Sequence, residues 1–87
     1  MEAAPQRIAE KIAARILPVI ADPVSIWKGF GTGLHCDGCD IPILPSEPQE
    51  ELRLADGRTL RFHAPCAVDW RRLRGVLPLL RRWLPNG

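Results

Sequence analysis

Three cysteines and one histidine are the residues of this chain whose type and spacing could do chemistry. Cys36 and Cys39 are separated by two residues, and His63 and Cys66 repeat that spacing after twenty-three intervening residues. Two such pairs can supply the four corners of a tetrahedron, and thiolates with one imidazole favour zinc over calcium or magnesium. Because four protein ligands leave no position for water, the pattern predicts one structural Zn²⁺ and no catalytic residue, although the same ligands accept iron.

Three other interpretations of these residues compete with a zinc site. A redox Cys-x-x-Cys motif normally lies at a helix start, whereas Asp37 and Gly38 are typical of a turn. A nucleophilic Cys66 activated by His63 would need an orienting third residue, and the sequence shows no convincing one. His35 could replace a ligand, but a histidine packed in a loop or exposed to solvent is the more common case.

The length and composition of the chain favour a small domain that needs an additional stabilising element, such as a bound metal ion. The hydrophobic core of a chain of 87 residues supplies only about 3–5 kcal/mol of net stability. Three cysteines cannot all pair within one chain, which argues against a disulfide framework. The start of the chain lacks the pattern of a signal peptide, and no segment approaches the ~20 apolar residues of a membrane span. We therefore expect a cytoplasmic protein that does not enter a membrane.

The net charge of +2 is unevenly distributed along the chain. Residues 36–57 contain six acids and one arginine, whereas residues 66–87 contain five arginines and one aspartate. This polarity can close the molecule on itself or present a basic end to a partner.

An amphipathic helix is predicted over residues 1–22, because isoleucines recur at the helical period. These are Ile8, Ile12 and Ile16. Arg7, Lys11 and Arg15 lie beside this stripe and are expected to form a solvated helix edge.

Residues 23–35 are predicted to form a glycine-rich connector, with Trp27 and Phe30 as anchors onto the core. The connector contains Gly29, Gly31 and Gly33. A phosphate-binding loop would need a strand before these glycines and a helix after them, and a Cys-x-x-Cys turn follows instead.

A β-hairpin is predicted over residues 50–62, where the apolar residues all occupy even positions: Leu52, Leu54, Leu60 and Phe62. Only a loop of odd length keeps all four on one face. We therefore predict a three-residue loop at 55–57 with Gly57 in a left-handed bulge. The other face then places Glu51 opposite Arg61, and Arg53 opposite Thr59.

A second helix is predicted from Pro65 onward, with Trp70, Leu73 and Leu77 on one face. Pro78 is expected to kink or end this helix near Leu77, which leaves residues 78–87 as a basic and apolar tail.

The knuckle at residues 36–39, the hairpin and a helix carrying the last ligand together resemble a treble-clef zinc finger. The segment from Leu60 to Cys66 is similar to the aromatic-His-x-x-Cys signature that closes the first zinc site of LIM domains. A LIM domain would continue with a second zinc module, and no cysteine or histidine follows Cys66. The resemblance implies a treble-clef finger over residues 36–77.

The chain also resembles a family of small uncharacterised proteobacterial zinc-binding proteins over most of residues 7–72. The likeness lies in a connector with spaced glycines and in two tryptophans. Its residues are Trp27, Gly29, Gly31, Gly33 and Trp70. The resemblance implies the fold and the metal, and no activity.

Taken together, the sequence predicts an α+β protein that is not an enzyme and has no small-molecule substrate. We expect a protein-interaction or regulatory module, in which the isoleucine helix or the tail at Trp83 and Leu84 contacts a partner protein or a second copy. The alternative is a nucleic-acid-binding finger that uses the C-terminal arginines. These are Arg71, Arg72, Arg74, Arg81 and Arg82.

Overall fold

The computed structural model describes residues 3–19 and 23–83, with the side chains of the last helix described as far as Gly75. In chain order the elements are α1 (Ala3–Ala13), β1 (Pro23–Phe30), β2 (Pro48–Leu54), β3 (Thr59–His63) and α2 (Ala64–Trp83). Two helices and an antiparallel three-stranded sheet confirm the α+β class. Within the described ranges, no helix has the length and apolar character needed to cross a membrane.

The hairpin of β2 and β3 has the predicted register. Glu51 pairs with Arg61, Leu52 with Leu60, and Arg53 with Thr59. The Leu54 amide donates to the Arg58 carbonyl at 2.8 Å, which closes a loop of three residues. Gly57 has a φ of 91°, the left-handed conformation that a side chain disfavours. The occurrence of all four apolar residues at even positions was therefore sufficient to predict the length of this loop.

Residues 23–30 form a strand instead of the predicted connector. In the sheet order β1-β2-β3, Ile26 of β1 lies opposite Leu52 of β2. Every residue of β1 is at least partly exposed, because α2 packs on β2 and β3. Without a buried face the strand needs no alternation of apolar and polar residues, so the usual strand signal is missing from its sequence.

The predicted anchoring of Trp27 and Phe30 in the core is wrong. Trp27 is 51% exposed and Phe30 is 63% exposed. A Cβ atom added to Gly29 would lie 2.3 Å from Cη2 of Trp27, so the indole lies against the backbone of its own strand. Its register opposite Glu51 places Trp27 on the sheet face away from the packed leucines.

Helix α1 is shorter than predicted because a left-handed residue ends it. Arg15 has a φ of 63°. The Ile16 amide donates to the Lys11 carbonyl at 2.9 Å, and the Arg15 amide donates to the Ile12 carbonyl at 3.1 Å. This pair of bonds is a Schellman motif. The turn leaves Ile16 exposed and buries Leu17 instead.

The core lies between the two helices and the packed sheet face. Trp70 and Phe62 are fully buried, and their rings stack with centroids 5.5 Å apart. The Trp70 indole nitrogen donates to the Pro18 carbonyl at 3.0 Å, which ties α2 to the segment after α1. Ile8 and Ile12 of α1 complete this core.

Helix α2 continues through Pro78 to Trp83, so it does not end near Leu77, and the alternative of a kink at Pro78 stays a prediction. A proline removes one helical hydrogen bond, and the following leucines and arginines are good helix formers. The residues predicted as a separate tail therefore begin as part of α2, and residues 84–87 lie outside the described range.

Candidate metal centre

Three separate elements contribute the four predicted ligands. Cys36 and Cys39 lie in the turn between β1 and β2, His63 is the last residue of β3, and Cys66 lies in the first turn of α2. The turn is closed by a hydrogen bond of 2.9 Å from the Asp40 amide to the Cys36 carbonyl. The sheet and the helix start together bring residues far apart in sequence to one point.

The four side chains form one compact cluster. Their donor atoms all lie within 4.8 Å of one another. His63 Nδ1 lies 3.4 Å from Cys39 Sγ. Ligands around a tetrahedral zinc ion stand about 3.5–3.8 Å apart, given zinc–ligand bonds of about 2.0–2.3 Å. The cluster could therefore hold a metal ion.

The cluster does not include the substitute ligand that the sequence suggested. His35 is exposed and forms an isolated β-bridge with Pro42. Among the described residues, the only group of three or more candidate ligands is the predicted set.

Two backbone amide groups donate hydrogen bonds to the sulfur of Cys36. The Gly38 amide donates to Cys36 Sγ at 3.3 Å, and the His63 amide donates to it at 3.4 Å. Such bonds stabilise a thiolate. A hydrogen bond from the Cys66 thiol, aided by these amides, lowers the pKa of Cys36 to about 4 even though burial opposes the shift.

The pKa values of the other two thiols are raised. The hydrogen bond to Cys36, followed by burial, raises the pKa of Cys66. Burial, followed by the charge of Cys36, raises the pKa of Cys39. Three thiolates cannot share so small a volume unless a cation compensates their charge, and this is what a divalent metal would supply.

Gly38 allows the knuckle to approach both helices. A Cβ atom at this position would lie 3.1 Å from Cγ1 of Ile8 and 3.3 Å from Cβ of Cys66. A larger residue at this position would require Ile8 or Cys66 to shift by a few tenths of an ångström.

The knuckle also hydrogen-bonds to the outer edge of β3. The Asp37 amide donates to the Arg61 carbonyl at 2.7 Å, and the Arg61 amide donates to Asp37 Oδ2 at 2.7 Å. With the bond from His63 to Cys36 Sγ, these contacts occupy the edge along half of the strand. The two bonds between Asp37 and Arg61 therefore hold the ligand turn on β3 without involving a ligand atom.

Helix α1 holds the same turn from the other side. Lys11 Nζ donates to the Asp37 carbonyl at 2.9 Å and also pairs with Asp40. Arg7 Nε donates to Asp40 Oδ2 at 2.7 Å. These bonds lower the pKa of Asp40, with the contribution of Lys11 the largest. Two of the three cations predicted to form a solvated edge therefore bind the knuckle or the residue that follows it.

Glu47 contacts the site although it was not among the predicted site residues. Its Oε1 lies 3.4 Å from His63 Nε2, the ring nitrogen that faces away from Cys39. Glu47 precedes β2, and Gln49 pairs with His63 across the hairpin. Extending the predicted hairpin register to residue 47 would have placed this carboxylate diagonally opposite the ligand.

The described C-terminal arginines contact other residues of the same chain. Arg71 pairs with the buried Glu50 at 2.8 Å, and Arg72 pairs with Asp69 at 2.9 Å. The Arg74 guanidinium lies 4.5 Å from the centroid of the Trp70 ring. The pair of Arg71 and Glu50 links the basic segment, residues 66–87, to the acidic segment, residues 36–57. The side chains of Arg81 and Arg82 lie outside the described residues.

Comparisons with protein families, curated proteins and solved structures find no match to this chain. The fold and the site therefore define it as a small α+β protein with a Cys₃His cluster that could bind a metal ion.

Proposed function

We propose that this chain is a zinc-binding protein of treble-clef architecture whose metal is structural. The observation that carries the proposal is the convergence of four donor atoms within 4.8 Å from a turn, a strand end and a helix start. Three thiolates and an imidazole are a ligand set typical of structural zinc. The order of knuckle, hairpin and helix supports the treble-clef assignment.

A structural role follows from the closed coordination. Protein side chains fill all four positions of a tetrahedral zinc ion, so no position remains for a water or a substrate. Three thiolates and Zn²⁺ leave one net negative charge, and the cationic Lys11 lies at the adjacent carbonyl of Asp37. We propose on these grounds that the protein is not an enzyme.

Metal analysis of the purified protein tests this proposal. We expect one zinc ion per chain by plasma mass spectrometry, and a Co²⁺-substituted protein with the absorption of a tetrahedral thiolate site. Cys36→Ser should lose the metal, whereas Ser25→Ala, on β1 away from the site, should retain it. A chain that folds without zinc or iron in the presence of a strong chelator would refute the proposal.

The interaction surface that supports a binding function is β1 and not the isoleucine helix. Ile8 and Ile12 are buried in the core, so α1 cannot offer them to a partner. The exposed apolar side chains of β1 are Val24, Ile26, Trp27 and Phe30. An exposed strand rich in apolar side chains at a sheet edge is a template for pairing with another strand.

We propose a second copy of the chain as the partner of β1. Among the strands that the structure describes, β1 lies at the sheet edge beside β2 alone, and β3, at the opposite edge, is covered by the knuckle. Antiparallel pairing of two identical edges about a two-fold axis satisfies the same backbone groups on both chains. Lys28 is the only charged residue of β1, so such a pairing brings few like charges together.

Light scattering over a range of concentrations tests this pairing. The zinc-loaded protein should approach the mass of a dimer at high concentration. Ile26→Lys, which adds a charge in the middle of the edge, should give a monomer with unchanged zinc content. Thr32→Lys adds the same charge beyond the strand and serves as the control. A monomeric wild-type protein at high concentration would contradict the proposal.

Nucleic-acid binding receives no specific support from the contacts of the described arginines, since Arg71 and Arg72 pair with acids of the same chain. It stays a prediction of the sequence. A titration of duplex and single-stranded nucleic acid at increasing salt tests it, because phosphate contacts weaken steeply with ionic strength.

A further inference from the structure

We infer that Glu47 is a positioning residue for the metal site, acting through His63. The inference rests on the proposed zinc function and adds to it a fifth residue that binds no metal itself. It concerns which nitrogen of His63 faces the metal and how firmly the ring is held.

The two ring nitrogens of His63 face different partners. Nδ1 lies 3.4 Å from Cys39 Sγ and belongs to the group of donor atoms. Nε2 lies 3.4 Å from Glu47 Oε1. A metal at the cluster takes the lone pair of Nδ1, so the ring proton must be on Nε2, where it can be donated to the carboxylate.

The carboxylate is held in place by its own turn. Leu44 and Glu47 exchange two hydrogen bonds: the Leu44 amide donates to Glu47 Oε1, and the Glu47 amide donates to the Leu44 carbonyl, both at 2.9 Å. The Glu47 carbonyl in turn accepts from the Gly31 amide at 2.9 Å. These bonds hold Glu47 just before the start of β2 without any contribution from His63, so the carboxylate has a defined position beside the imidazole.

Gly31 is required for this arrangement. A Cβ atom at Gly31 would lie 2.2 Å from the Ile43 carbonyl oxygen, so only glycine lets the chain after β1 approach the segment that leads to Glu47. Of the three spaced glycines of the sequence, Gly31 therefore has a role in the support of the metal site.

A carboxylate on the outer nitrogen has two effects on a histidine ligand. It selects the tautomer with a free Nδ1, and it increases the basicity of that nitrogen toward the metal. Loss of such a partner typically weakens metal affinity about 10–100-fold. The His63 side chain is 13% exposed, so water has little access to replace the carboxylate.

The affinity of the full-length protein for zinc, measured by competition with a chromophoric chelator, tests the inference. We expect Glu47→Ala to weaken binding by about 10–100-fold. Glu47→Gln should weaken it less, because the amide oxygen still accepts from Nε2 and from the Leu44 amide. Glu51→Gln is the control, since Glu51 lies further along β2 and pairs with Arg61 at 3.0 Å.

A second measurement separates positioning of the ring from a general effect on the turn. In the zinc-loaded protein the Nε2 proton of His63 should be visible by nitrogen-15 NMR and slow to exchange with solvent. Exchange should become faster in Glu47→Gln, which retains the turn, and faster still in Glu47→Ala. A Glu51→Gln protein should match the wild type.

The outcomes distinguish the two proposals. A wild-type protein that binds no metal refutes both. A wild-type protein that binds one zinc ion, together with Glu47 variants that match Glu51→Gln in affinity and in exchange of the Nε2 proton, refutes the role of Glu47 and leaves the zinc function standing.

Discussion

The two edges of the three-stranded sheet differ in what covers them. At β3 the knuckle donates and accepts hydrogen bonds through Asp37 and Arg61, and α1 holds the knuckle in place. At β1 the apolar side chains of Ile26 and Phe30 remain about half exposed or more. The same sheet thus has one edge closed by the ligand turn and one edge that no other strand of the described residues covers.

This difference suggests that the two edges of the sheet contribute to different properties of the protein, namely stability and association. Burial, hydrogen bonds and the proposed metal concentrate on the β3 side, where a lost interaction leaves buried groups without partners. On the β1 side each apolar residue keeps much of its contact with water, so its removal costs the isolated chain little. We expect stability to depend on the closed edge and association to depend on the open edge.

The largest effect should come from removing a ligand at the closed edge. Cys36→Ser should lose the metal, whose binding contributes on the order of 10 kcal/mol in small zinc domains, and the chain should unfold. Circular dichroism with zinc analysis measures this. The control is Val24→Ala at the open edge, which should stay folded and zinc-loaded. A folded, metal-free Cys36→Ser protein would contradict the prediction.

The next largest effect should distinguish two aromatic residues. Trp70→Ala removes a fully buried ring that stacks on Phe62 and should cost about 3–5 kcal/mol of unfolding free energy. Phe30→Ala should change it by less than about 0.5 kcal/mol in dilute protein, where no dimer forms. Urea denaturation measures both. Similar losses for the two variants would show that β1 is packed in solution.

A smaller effect should come from the hydrogen bonds that close the β3 edge. Asp37→Ala leaves the Arg61 amide without its acceptor and should cost about 1–3 kcal/mol. Asp56→Ala is the matched control, because Asp56 accepts from the Arg58 amide in the exposed hairpin loop at 2.9 Å. Its loss should be clearly smaller, and thermal unfolding of both zinc-loaded variants measures the difference. Equal losses would argue that the knuckle does not stabilise the edge.

The smallest effect should come from the ion pairs of Asp40 with Lys11 and Arg7. Asp40→Asn should cost less than about 1 kcal/mol, because the Asp40 carboxylate and the Arg7 guanidinium are about half exposed, so solvent screens their charges. The lowered pKa of Asp40 means that its contribution is present at neutral pH and is lost as the pH falls through that lowered value. About 1 M salt should reduce the difference between wild type and variant. A difference that salt does not change would contradict an electrostatic origin.

Local patterns predicted the parts of the fold in which one face is buried. The hairpin register followed from Leu52, Leu54, Leu60 and Phe62, and the ligand cluster followed from the two paired spacings. The strand β1 escaped prediction because neither of its faces is covered, so no periodicity marks it. The position of Trp27 could not be predicted either, since it depends on the bare backbone of Gly29 beside it.

The sequence by itself determined the donor set and the hairpin that brings its second half into place, because ligand chemistry and the two-residue period of a strand are local properties. Only the tertiary structure decided that Ile12 faces the core and Ile16 does not, and that the Glu47 carboxylate comes within 3.4 Å of the His63 ring. Those outcomes depend on a left-handed residue at Arg15 and on the alignment of β2 with β3. These positions depend on the way in which separate segments pack together, and the sequence of one segment does not determine that packing.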